Sequence, residues 1–183
     1  MRMPLTTAAL ALALFTLTGC LAQSSPAPTP LPNSTPVFES EEAALAAAED
    51  AYREYLAVSD AITADGGANP ERIKPLVTTE QFQVELDGFD LYTSKSWRTS
   101  GESSFEILEL QRYSEEGNGV ARVSFYACSD SSHVRIIDAS GADVTPMNVP
   151  DRQTLEVAFQ SAGRGARKLV LESAGIWDSA QSC

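Results

Sequence analysis

The spacing of apolar residues changes once along this chain, between Lys95 and Ser103, and that change limits the folds open to it. Before it, Leu45, Ala48, Tyr52, Tyr55, Leu56, Ser59 and Ile62 recur at three- and four-residue steps, which predicts one face of a long amphipathic helix. Ser40 fits its N-cap, and Glu41 and Glu42 suit the positive end of the helix dipole. Asp65-Gly66-Gly67 stops that helix. Asn69-Pro70 then restarts the chain as cap and first helical residue, and Pro75 limits the short turn over residues 73–77. Thr78 with Gln81 has the spacing of a capping box, and Phe82, Leu86 and Phe89 predict a second helix ending between Asp90 and Lys95. Beyond the change, Phe105, Ile107 and Glu109 alternate with Glu106, Leu108 and Leu110, while Val123, Phe125 and Ala127 alternate with Arg122, Ser124 and Tyr126. Glu116-Gly117-Asn118-Gly119 between them reads as a hairpin turn. A shorter strand over 134–137 stops at Asp138-Ala139-Ser140-Gly141, and strands over 154–160 and 168–172 form a last hairpin through Gly163-Arg164-Gly165. Helices followed by a meander of strands predict an α+β domain, with the helices on one face of an antiparallel sheet whose other face is curved or solvated.

Ahead of that domain lies a leader whose single charge is Arg2, followed by an apolar run over residues 5–17. The run falls short of the about 20 residues that a membrane helix needs, so it reads as the core of a secretory signal peptide. It ends in Leu17-Thr18-Gly19-Cys20. An aliphatic residue, two small ones and a cysteine in this order resemble the lipobox of bacterial lipoprotein precursors. The resemblance implies that residues 1–19 are removed, that the Cys20 thiol carries diacylglycerol, and that the protein is lipid-anchored to the cell membrane on its extracytoplasmic side. Each buried CH₂ of such an anchor contributes about 0.8 kcal/mol, and two or more chains hold firmly. The rival reading, an ordinary secretory signal, would leave a free and exposed thiol at the new terminus. Residues 20–37 then comprise the lipidated cysteine and a linker in which Pro26, Pro28, Pro30, Pro32 and Pro36 stand among uncharged residues. That composition favours a semi-rigid polyproline spacer of about 3.1 Å per residue, roughly 50 Å at full extension.

The remaining stretch, residues 38–183, suits one domain and shows no internal repeat. A net charge of −12 and the lack of any basic stripe exclude nucleic acid as a partner, because binding phosphates requires Lys and Arg. They also exclude electrostatic attachment to anionic lipids, which leaves the acyl chains as the membrane contact. The sequence holds three cysteines; with Cys20 given to lipid, Cys128 and Cys183 remain, and outside the cytoplasm such a pair is expected to form a disulfide. A metal site built on them with His133, the single histidine, lacks the close-spaced ligand pairs of zinc sites. No metal is expected, and no cofactor beyond the diacylglycerol on Cys20.

A long first helix carrying Tyr52 and Tyr55, an Asp-Gly-Gly break, late strands holding Cys128-Ser129-Asp130 and a terminal cysteine follow one another here. In this order residues 38–183 resemble the NTF2-like, cystatin-like superfamily seen in many actinobacterial lipoproteins. Many members insert short strands among the helices, and none is read here between Val77 and Lys95. The resemblance implies a curved sheet whose concave side, closed by the helices, can form a pocket. Tyr52, Tyr55, Asp60, Trp97, Tyr126 and Asp130 are the candidates to line it. A carboxylate there works as a general base only if apolar surroundings raise its pKa. The competing structural reading packs the tyrosines in the core with hydroxyls at the rim and makes Asp130, before Ser131 and Ser132, a turn residue.

Other chemistry finds less support. Nothing marks a nucleophile for His133. Gly66 and Gly67 follow a helix, where glycine is a stop signal, and not a strand, where a phosphate loop would begin. Residues 65–71 lack the regular oxygen ligands of a calcium loop. Arg98, Arg122 and Arg152 are scattered among acids. The expectation is a non-catalytic module that binds a small ligand or a component of the cell envelope. The alternative is a protein-interaction domain, as a homodimer or an accessory to another envelope protein. A small NTF2-like isomerase or hydrolase-type enzyme stands third.

Overall fold

Two side-chain caps fix where the long helices begin. In the computed structural model, which describes residues 35–177 and Cys183, the Ser40 hydroxyl accepts the amide of Ala43 and starts α1 (Glu41–Ala64). The leader, Cys20 and the linker as far as residue 34 lie outside the described residues. Thr78 accepts the Gln81 amide at 3.2 Å and starts α2 (Thr79–Lys95). Only half of a capping box forms there. Gln81 turns its amide side chain to Glu85, and the Thr78 amide donates instead to the carbonyl of Leu171 at 2.8 Å, which docks the helix start onto the sheet. Between the helices, Gly66 and Gly67 take positive φ and Pro70–Leu76 forms a 3-10 segment after Asn69. Gly67 is required at its position, since a Cβ would collide with the carbonyl of Phe89 in α2.

The strands β1 (Arg98–Ser100), β2 (Ser104–Glu115), β3 (Ala121–Asp130), β4 (Arg135–Ile137), β5 (Arg152–Ser161) and β6 (Leu169–Ile176) divide between two antiparallel sheets. The larger has the order β2-β3-β5-β6, and β1 pairs with β4 in the smaller one. The domain is thus α+β, with its helices packed on an open sheet. Register shifts in β2 between Ile107 and Glu109 and between Leu110 and Arg112 change the alternation expected there. Bulges invert the side-chain phase. Phe105, Ile107, Leu110 and Tyr113 therefore pack against the core, while Leu108 projects outward and Glu109 sits opposite Tyr126. The pair β1–β4 was not anticipated: β1 is too short for a period to show, and the strand at 134–137 joins it instead of the main meander.

The core lies between α1 and the inner sheet face. The Tyr52 ring meets Phe105, Phe125 and Phe159 edge-on at centroid distances of 4.7, 5.9 and 6.3 Å, and stacks on Tyr55 at 5.8 Å. Ala44 and Ala48 let the helix approach the sheet closely, and Ile62, Ile73, Phe89 and Leu171 extend the same cluster. Val37 and Phe38 belong to it as well. Glu115 at the end of β2 accepts the amide of Val37 at 2.7 Å and the hydroxyl of Tyr113, so the point where the chain enters the domain is tied to the sheet. On the outer face, Cys128 and Cys183 form a disulfide with a Cα separation of 5.8 Å, and Trp177 packs on Tyr126.

Candidate functional site

The sheet face toward α1 is filled by core side chains, and a cleft lies beside it. This cleft of about 470 Å³ runs along the C-terminal half of α1. Arg53, Leu56, Ala57, Asp60, Ala61 and Ala64 form one wall, and residues 101–105 form the other. The helix residues follow three- and four-residue steps, so a single flank of α1 faces the cleft. Three alanines on that flank leave room where longer side chains would close it. Phe105, whose ring supports Tyr52, reaches the floor.

Asp60 holds the two walls together. Its carboxylate accepts the Ser103 amide at 2.8 Å and the Ser103 hydroxyl at 2.9 Å, one bond on each oxygen. Gly101 makes the loop's path possible: it has φ of 95°, and a Cβ there would collide with the His133 carbonyl. Arg53 stands at the mouth, paired with Glu49 at 2.7 Å and Asp50 at 2.6 Å. Its charge is thereby balanced within its own helix. His133 is exposed and joins residues 101–104 around a shallower concavity.

The six candidate pocket residues do not meet in one place. Asp60 alone lines the cleft. Tyr52 and Tyr55 are core residues. Burial, with the charges of Glu85 and Asp60 adding to it, pushes the Tyr52 phenol up to about 12. Burial, then the charge of Glu85 and the 2.8 Å hydrogen bond to it, raises Tyr55 further in the same direction. Both remain protonated donors near neutral pH and cannot serve as bases there. Trp97 half covers a separate concavity with Asp65, Arg98 and Asp138, its ring edge-on to Tyr92 at 6.4 Å. Tyr126 alternates with Phe125 and so faces the opposite side of the sheet, at 5.0 Å from Trp177. Asp130 is held below the usual carboxylate range, first by the Ser132 hydroxyl and amide and then by the charges of Arg152 and His133. It accepts the Ser132 amide at 2.9 Å in a turn; its backbone pairs with Ser104, next to the Ser103 that Asp60 binds, but Asp130 itself does not line the cleft.

Sequence reasoning missed the loop 101–105 and the alanine flank. The signal available was the repetition of alanine at positions 57, 61 and 64 around Asp60, on the flank next to the apolar stripe. Among the described residues, no group of three or more His, Cys, Asp and Glu side chains is placed to hold a metal ion, and no helix is long and apolar enough to cross a membrane.

No protein-family model and no curated protein sequence matches the chain. Among solved structures, the intermembrane space region of the chloroplast protein ARC6 is similar with a TM-score of 0.46 and 11% identity, over 72% of this chain and 95% of that one.

Proposed function

We propose that this chain is a lipid-anchored extracytoplasmic domain that binds a small ligand in the cleft between α1 and residues 101–105 and does no chemistry on it. The observation that carries the reading is the cleft itself. Its about 470 Å³ lies within the range of small-molecule sites, and its walls combine apolar Leu56, Ala57, Ala61 and Phe105 with polar Asp60 and Ser104. The non-catalytic part of the proposal draws on Asp60, whose two oxygens are both committed to Ser103. The extracytoplasmic part draws on the Cys128–Cys183 bond, since disulfides persist in oxidising compartments. Anchoring through Cys20 rests on the Leu17-Thr18-Gly19-Cys20 sequence.

The test is an NMR screen of the labelled chain against a library of small aliphatic and aromatic amines, acids and alcohols. Binding should shift the amides of Ala57, Ala61 and Ser103 together, and Ala61→Trp, which fills the cleft from an exposed helix position, should abolish those shifts. Shifts that persist in Ala61→Trp, or that map to the outer sheet face, would remove the cleft from the account. A second reading, the interaction or homodimer domain, is favoured by exposed apolar residues on one side of α2, Val84 and Leu91, and on the loop before β5, Met147 and Val149. Sedimentation of the chain as a dimer that Val84→Glu with Leu91→Glu dissociates would support it.

A further inference from the structure

The two sulfurs of the disulfide stand in unlike surroundings. Cys128 lies within β3 and is 1% exposed, whereas Cys183 is exposed. Arg152, at the start of β5, aims Nε and Nη2 at the Cys128 sulfur, at 3.4 and 3.2 Å. Asp130, two residues beyond Cys128 in the same strand, places a carboxylate oxygen 3.8 Å from the same Nε. A neutral disulfide gains little from a guanidinium at that distance. A thiolate gains much more, because a fixed positive charge favours the anionic form of sulfur.

We infer that the Cys128–Cys183 bond is an exchange site for external dithiols, entered at Cys183 and released at Cys128. The thiolate of the dithiol bonds to the Cys183 sulfur, the Cys128–Cys183 bond breaks, and its electron pair leaves on Cys128 as a thiolate facing Arg152. The second thiolate of the reductant then attacks its own sulfur in the mixed disulfide. Cys183 departs as a thiolate that takes a proton from water, and the reductant leaves as a disulfide. Two electrons have passed from the dithiol to the protein. Direction is set by both features at once: access admits the nucleophile only at Cys183, and a stabilised leaving group speeds the break. Once the bond is open, the described ties of the C-terminal end to the outer face are the Trp177–Tyr126 ring contact and the Trp177 amide bond to the Thr154 carbonyl at 2.8 Å. The site is independent of the cleft and of any ligand held there.

The experiment uses the full chain with Cys20→Ser, which leaves Cys128 and Cys183 as its cysteines. After brief exposure to glutathione and an acid quench, peptide mapping should find the glutathione on Cys183. Reduction by dithiothreitol at neutral pH should slow several-fold in Arg152→Gln and recover in part in Arg152→Lys. The sign is diagnostic: a variant that merely loosened the strands would expose the bond and be reduced faster. Glutathione found on Cys128, or a rate in Arg152→Gln equal to or above that of the parent, would overturn the inference.

Discussion

Replacing Cys183 by Ser opens a loop closed between residues 55 apart in sequence. In the chain-entropy treatment the fixed part of the loop cost is about 0.6 kcal/mol at 25 °C and the length-dependent part about 3.6, so the unfolded state should gain about 4 kcal/mol. The compact unit spans Asn33–Cys183. With an unfolding entropy of about 2.1 cal/mol/K per residue, its melting temperature should fall by roughly 13 °C. The substitution leaves the Cys128 sulfur buried against Arg152, so the native packing of β3 changes little. Urea titration and a thermal scan, both followed by circular dichroism, read the effect. An origin in the unfolded chain makes a second demand: the urea m-value should rise, because a chain freed of its crosslink exposes more surface when it unfolds. A loss below about 1 kcal/mol with an unchanged m-value would refute the reasoning and place the contribution of the bond elsewhere.

The cleft and the core can be tested in the same way. Asp60→Ala removes the charged acceptor of the Ser103 amide and hydroxyl and should cost about 1.5–3 kcal/mol while speeding hydrogen exchange at the Ser103 amide; unchanged exchange there would contradict the clamp. Gly101→Ala forces a Cβ against the His133 carbonyl at positive φ and should cost about 1–3 kcal/mol by urea titration. Tyr52 and Tyr55 have folded pKa values raised above the ordinary tyrosine value of about 10. Their neutral forms are favoured by folding, so this contribution to stability is complete below about pH 10 and lost as pH rises through the folded values. Phenolate absorbance from this pair should therefore appear only together with loss of the helix signal, and ionisation of both in a folded chain would be contrary evidence.

Much of the fold can be read from local chemistry, because the signals that mark it are local. Ser40, Thr78, Asp65-Gly66-Gly67 and Glu116-Gly117-Asn118-Gly119 each act through their own backbone neighbours, and each sits where the spacing placed it. The phase of β2 was not legible beyond Ile107, since a bulge depends on the partner strand and leaves the one-strand pattern looking regular. The pairing of β1 with β4 was hidden for another reason: three residues on each side carry no period, and the contact joins segments far apart in sequence. Asp60 was found as a candidate, but its partner Ser103 lies 43 residues away, and no feature of either segment announces the pair. Parity did contain the answer for Tyr126, which alternates with the inward Phe125 and could not share a pocket with Tyr52. The alanines at 57, 61 and 64 read as ordinary helix formers, and only the loop opposite gives them a wall to face.

The most direct test of the anchored, extracytoplasmic account is the intact mass of the chain extracted in detergent from the membranes of the cells that make it. The account predicts a chain that begins at Cys20, carries diacylglycerol on that residue, and has Cys128 and Cys183 joined. A soluble chain that retains residues 1–19 and three free thiols would contradict it.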